Sequence, residues 1–142
     1  MIDLKRKYGF DKKAAVEGTK MFIGTDKETD WVLIKRMPSK DYIACLTKTL
    51  QDHGEELEQL RKEDPDAGEK YDQELQCEVL AKTVVVGWGG GIQENKISIP
   101  YSVEAAAKLL AEFDDFRIDC VSFARDNKNY PIKMNVEKVK KS

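Results

Sequence analysis

An α+β fold, predominantly helical, with an N-terminal antiparallel β-hairpin and about four helices, is what this 142-residue chain predicts. Three observations carry that expectation. Two extended apolar runs, Thr19 to Ile23 and Trp31 to Arg36, flank a polar turn rich in Asp, Thr and Gly. From Ile43 to Leu60 apolar residues recur at alternating spacings of three and four. Two more helical stripes open behind Pro65 and Ser102. With 41% hydrophobic residues at this length, one core is expected. The whole chain, 1–142, therefore reads as a single domain: an N-terminal arm (1–18), the hairpin (19–37), a helical body (39–126) and a polar tail (127–142).

The paired strands are expected at one edge of the fold, where unpaired backbone groups remain open to a neighbour. After them Pro38-Ser39 is a helix entry, and Ile43, Leu46, Leu50, His53, Leu57 and Leu60 form a heptad-like seam. Under three heptads is short for a free coiled coil, and Gly54 weakens the helix by about 1 kcal/mol relative to Ala. The seam thus reads as an amphipathic helix packed within the fold or against another subunit. Pro65 breaks this helix and starts the next, capped either by Asp64 or by Asp66 with Glu69 three residues on. The stripe Tyr71, Leu75, Val79 and Leu80 then runs into Val84, Val85 and Val86, and periodicity leaves helix and short strand both open. Ser102 is a cap for a helix that buries Val103, Ala106, Ala107, Leu110 and Phe113. A last short helix offers Ile118, Val121 and Phe123 or Ala124 to the core.

A net charge of −2 conceals an uneven distribution. From Gln51 to Leu80 there are eleven Asp and Glu against three Lys and Arg, whereas Met1 to Lys48 carries eleven basic and seven acidic residues. Such asymmetry can orient copies of the chain toward one another. The one basic run, Lys5 to Lys7, is too short to make nucleic acid a partner. No apolar run approaches the roughly 18 residues of a membrane span, and no apolar segment follows the basic start, so neither membrane nor export is expected. Three scattered cysteines, Cys45, Cys77 and Cys120, suit reduced thiols used as small core hydrophobes.

Catalytic patterns are missing from the sequence. The glycine-rich "GWGGGIQENK" lacks the Gly-Lys-Ser/Thr ending that reaches nucleotide phosphates, and it lacks spaced dinucleotide glycines. His53 stands alone, without the paired histidines or Cys-x-x-Cys that hold zinc. Asp114-Asp115 reads as a helix start complementing the helix dipole. No catalytic, cofactor or metal site is expected, and the chain reads as a non-enzyme.

Four elements in order carry a family resemblance: "DKKAAVEGTKMFI" (Asp11 to Ile23), "WVLIKRM" (Trp31 to Met37), "LAKTVVVGW" (Leu80 to Trp88) and "IPYSVEAAAKLL" (Ile99 to Leu110). In these the chain resembles the tail assembly chaperone family of long-tailed bacteriophages. It departs at Gly87, where the family has an acidic residue, and at "GGGIQENK", where the family has Gly-Val and an acidic turn; the acidic stretch from His53 to Asp72 lies outside the resemblance. The resemblance implies a non-catalytic scaffold of the host bacterial cytoplasm, absent from the mature virion, that binds the tape measure protein and the tail tube protein during tail assembly. It also implies self-association as dimers or larger, ring-like assemblies. A second, longer product made by ribosomal frameshifting near Lys140-Lys141 follows from the same resemblance. Trp88 between glycines, Trp31, and the seam residues Leu46, Leu50 and Leu57 are the candidate protein contacts. Two other classes stand beside this one: a minor virion structural protein, such as a tail completion or adaptor subunit, and a small enzyme or regulator.

Overall fold

The computed structural model describes residues 1–24 and 29–132, and its architecture is α+β with helix predominating. Two short helices, α1 (Leu4–Tyr8) and α2 (Lys12–Glu17), start on Asp3 and Asp11, whose carboxylates accept from free backbone N–H groups of the first turn. Strands β1 (Thr19–Phe22) and β2 (Trp31–Ile34) pair antiparallel, with Thr19 opposite Ile34 and Phe22 opposite Trp31. Next come the long helices α3 (Lys40–Glu63) and α4 (Pro65–Thr83), and then β3 (Val85–Gly89). A two-stranded ribbon of β4 (Gln93–Glu94) and β5 (Ile97–Ser98) turns at Asn95 and Lys96, both at positive φ. Helices α5 (Val103–Glu112) and α6 (Asp114–Arg125) and one 3₁₀ turn (Asn127–Asn129) complete the described chain.

The ambiguity at Val84 resolves as helix followed by strand. A run of Thr and three Val loses side-chain freedom in a helix and packs well on a pleated sheet. β2 also offers β3 an open edge to pair with. The sheet order is β1-β2-β3, so β2 is the central strand, and of the expected edge hairpin only β1 lies at an edge.

Asp64 alone performs both duties at the junction of the long helices: its N–H closes the last turn of α3 and its carboxylate accepts from Ala67 N–H to start α4. The core gathers Val32, Ile34 and Met37 from around β2 and Cys77, Leu80, Ala81, Val84 and Val85 from α4 and β3. Ala106 and Leu110 of α5 join Cys120 and Ala124 of α6 on the other side.

Three expectations are corrected, and the seam is drawn more finely. The stripe of α3 that packs on α4 runs through Tyr42, Leu46, Thr49, His53, Leu57 and Leu60, so Ile43 and Leu50 lie beside it and are exposed. The seam drawn at heptad spacing drifts off the contact face because a straight helix repeats every 3.6 residues, not 3.5. Ile118 is exposed, and Cys120 takes the core place on α6. Phe113 is not in the α5 stripe; it ends α5, precedes α6 and is 45% exposed. Finally, residues 127–130 are anchored, not tail: Tyr130 is fully buried and its hydroxyl donates to the Ile34 carbonyl at 2.9 Å. The segment around Lys140-Lys141 lies outside the described residues.

The two glycines of the long helices differ in surroundings, and this sets opposite signs for the same substitution. A Cβ at Gly54 would meet nothing within 4 Å. At buried Gly68 it would stand 2.8 Å from the Arg61 Cα, where α3 and α4 cross closely. Gly54→Ala should therefore raise unfolding stability by about 1 kcal/mol, as helix propensity dictates. Gly68→Ala should lower it despite the same gain in propensity, and urea denaturation of the two variants measures both.

Burial pushes the Cys120 thiol up to about 12 from its ordinary value of 9.0, and the Tyr130 hydroxyl and the Cys77 thiol are also raised, chiefly by burial. Each folded-state value lies above the unfolded one, so the neutral forms contribute stability in full below pH 9. That contribution is lost as pH rises from 9 toward 12. The thermal midpoint should thus hold flat to about pH 9 and fall steeply above it; a midpoint rising over that window contradicts the assignment.

Candidate protein interface

The glycine-rich loop after β3 is occupied by its own chain. Gly90 is at φ +76, and a Cβ there would collide with the Thr29 carbonyl, while one on Gly89 would run into the Trp31 ring. The Gly91 N–H, the kind of group that would cradle a phosphate, donates to the Asp30 carboxylate at 2.8 Å. The glycines beside Trp88 thus admit Trp31 and Thr29 of the same chain. Trp31 is half-buried over Gly89, with Lys20 Nζ 4.5 Å from its ring centroid.

Trp88 is half-buried too. Its indole N–H donates to the Ile99 carbonyl at 2.8 Å, and its ring meets Tyr101 edge-on at 5.0 Å. The Tyr101 hydroxyl in turn donates to the Val85 carbonyl, so the "IPYS" segment is pinned across the β3 backbone. The rest of the Trp88 ring lines an open apolar cleft of about 290 Å³, walled by Ile23, Val32, Leu109, Phe113 and Phe116, with Asp30 and Gln93 at its lip. Phe22 and Ile23, at the end of the edge strand, are exposed beside it. An apolar cleft next to a strand edge can accept one or two large side chains of a bound segment while backbone groups pair along the strand.

Sequence reasoning found Trp88 but missed the cleft, because Phe113 was read into the α5 stripe and Phe116 was assigned to no surface.

The seam candidates divide. Leu57 is buried between α3 and α4, and Leu46 is half-buried. Leu50 is 49% exposed and Ile43 55% exposed on the outer face of α3. His53 Nδ1 lies 3.2 Å from the Tyr71 hydroxyl, which also bonds to Glu56, so the lone histidine takes part in a helix-to-helix contact. Among the described residues no group of three or more His, Cys, Asp or Glu is arranged to hold a metal, and no helix is long and apolar enough to cross a membrane.

The model of one family, described as YdaY prophage protein, matches residues 40–141, which is more than half of the chain. The chain belongs to the YdaY prophage protein family. It is therefore a phage or prophage protein. The YdaY match begins at α3, so it takes in the helical body and β3 and leaves β1 and β2 outside. No curated protein and no solved structure matches the chain.

The two halves of the α3 seam should respond differently to substitution. Leu57→Ala should cost about 2–5 kcal/mol, as a cavity between packed helices does. Ile43→Asp and Leu50→Asp should leave the unfolding free energy from chemical denaturation within about 0.5 kcal/mol of the parent, as surface changes do.

Proposed function

We propose that this YdaY-family prophage protein is a tail assembly chaperone: a non-catalytic scaffold that binds the tape measure protein and the tail tube protein while the tail is built. On this reading it works in the host bacterial cytoplasm, associates with copies of itself, and does not stay in the mature virion. The observation that carries the reading is the open apolar cleft at Trp88, set beside an exposed strand edge in a protein of prophage origin. A chaperone for a long helical protein needs such a surface: apolar enough to cover the client, small enough to release it. The exposed Ile43 and Leu50 on α3 add a second apolar surface on a helix that packs mainly against α4. Prophage membership together with the order of the "VVVGW" and "IPYS" elements supports the tail-assembly assignment.

Co-expression with the tape measure protein from the same prophage tests it. The expected outcome is a soluble complex, with the tape measure protein insoluble when expressed alone. Phe113→Asp, at the cleft mouth, should abolish the rescue while leaving the chaperone folded. A tape measure protein equally soluble without the partner overturns the reading. Stoichiometric recovery of this chain from purified virions also overturns it, in favour of a structural tail subunit.

A further inference from the structure

Among the described residues one edge of the three-stranded sheet is closed by the chain and the other is open. The outer edge of β3 is covered by the segment leading into α5: the Tyr101 hydroxyl donates to the Val85 carbonyl and the Trp88 indole to the Ile99 carbonyl. The outer edge of β1 has no such cover. The Ile23 N–H donates to the Asp30 carbonyl, which continues the ladder in which Thr19, Met21 and Ile23 bond to β2. The N–H and C=O of Lys20 and Phe22 therefore turn outward, and among the described residues they have no partner.

This edge faces α6 across a groove of about 500 Å³, with Met21, Phe22 and Ile23 on one side and Asp119, Ser122 and Asp126 on the other. Ile23 also lines the cleft beside Trp88, and so does Phe116, about one turn before Asp119 on α6. Groove and cleft are thus continuous. From Phe116 to Asp126 the helix and its cap rise about 15 Å, the span of about five extended residues. The charged residues of the two linings are Asp30, Asp119 and Asp126, with no cation among them. Lys20 lies on the other face of the sheet, over the Trp31 ring, and Arg117 is held by Asp114.

We propose that the groove binds an extended segment of a partner protein as a fourth strand antiparallel to β1, carrying a large apolar residue and, two positions later, a lysine or arginine. The spacing follows from the pleat. Partners of Ile23 and Met21 stand two residues apart and project on the face of those side chains. The first enters the Trp88 cleft, and the second meets Asp119 and Asp126. The residue between them pairs with Phe22 through both backbone groups. A helix laid in the groove would bury the outward groups of Lys20 and Phe22 without partners, a cost that an added strand avoids. Backbone pairing supplies affinity and the two side chains supply selectivity. This rests on the proposed client-binding role of the cleft and names the chemistry of what it binds.

The labelled peptide Thr-Thr-Phe-Thr-Lys-Thr-Thr, titrated against the intact protein by fluorescence anisotropy, tests it. Binding should saturate with a dissociation constant below about 1 mM, and amide exchange at Lys20 and Phe22 should slow when the peptide is bound. Glu in place of the peptide's Lys should weaken binding at least about tenfold. N-methylation of the Thr between Phe and Lys, which removes the N–H that meets the Phe22 carbonyl, should weaken it by about as much. Asp119→Lys with Asp126→Asn should reverse the preference for Lys over Glu. Asp119 is exposed and Asn keeps the cap of the turn after α6, so folding should survive. Should that pair of changes unfold the protein, Asp119→Asn should narrow the preference at least about threefold.

No saturable binding of the Lys peptide overturns the proposal, as does equal binding of the Glu or the N-methylated peptide. So does slow exchange at Lys20 and Phe22 before any peptide is added, since the chain itself then fills the groove. Failure here, with tape measure rescue still lost in Phe113→Asp, leaves the chaperone reading standing without strand pairing. Peptide binding without any rescue sinks that reading and leaves the groove.

Discussion

From Leu75 to Val85 only Gln76, Glu78 and Lys82 reach solvent, and every other side chain is buried. A segment this apolar has to be enclosed on nearly all sides, and the fold follows from that constraint. As α4 it is covered by α3 on one flank and α5 on another, and as β3 it pairs with β2. Thr83, the one buried polar residue at the changeover, donates its hydroxyl back to the Val79 carbonyl at 2.8 Å, so nothing polar is left unpaired where helix becomes strand. Glu78 and Lys82 pair one turn apart along the thin solvent-facing strip.

Segments without regular structure are held to this axis by side chains that bond to backbone carbonyls. Tyr101 reaches Val85, Trp88 reaches Ile99 and Tyr130 reaches Ile34. Arg36, Asn127 and Tyr8 form a chain of contacts that ties the N-terminal helices to the residues after α6. Among the described residues these anchors leave the cleft beside Trp88 and the far half of the α3–α4 hairpin uncovered. α5 reaches along α4 only as far as Gln73, whose side-chain amide donates to the Ala111 carbonyl. Beyond that point the two long helices support each other alone, through Leu57, Gly68, the His53–Tyr71 contact and the Arg61–Asp72 pair.

Where a local signal decides structure, the sequence was legible. Ser39, Asp64 and Ser102 cap helices as their residue types require, and the β1–β2 pairing and the helical stripe through Leu75, Val79 and Leu80 stand where spacing put them. What spacing cannot convey is which side of an apolar stripe meets a neighbour: the seam read as packed within the fold or against another subunit, and within the chain Ile43 and Leu50 face outward. The third strand was hidden because Val84 to Val86 continue a helical stripe, and only the open edge of β2 decides the matter. The cleft depended on tertiary placement: Ile23, Trp88 and Phe113 are far apart in sequence and carry no joint signature. Tyr130 was placed in a polar tail because the groups that hold it, the Ile34 carbonyl, the Asp11 N–H and the Phe123 ring, are scattered along the chain.

The central claim is that a body organised around residues 75–85 carries a helical hairpin whose far half depends on that body but not the reverse. Native-state amide hydrogen exchange measures this directly. Amides from Leu75 to Val85, with those of β2, should exchange only through global unfolding. Those from Leu50 to Tyr71 should exchange through a lower-energy opening while the body stays protected. Equal protection of the two regions, or loss of protection in β2 and β3 before the hairpin tip, would contradict the account.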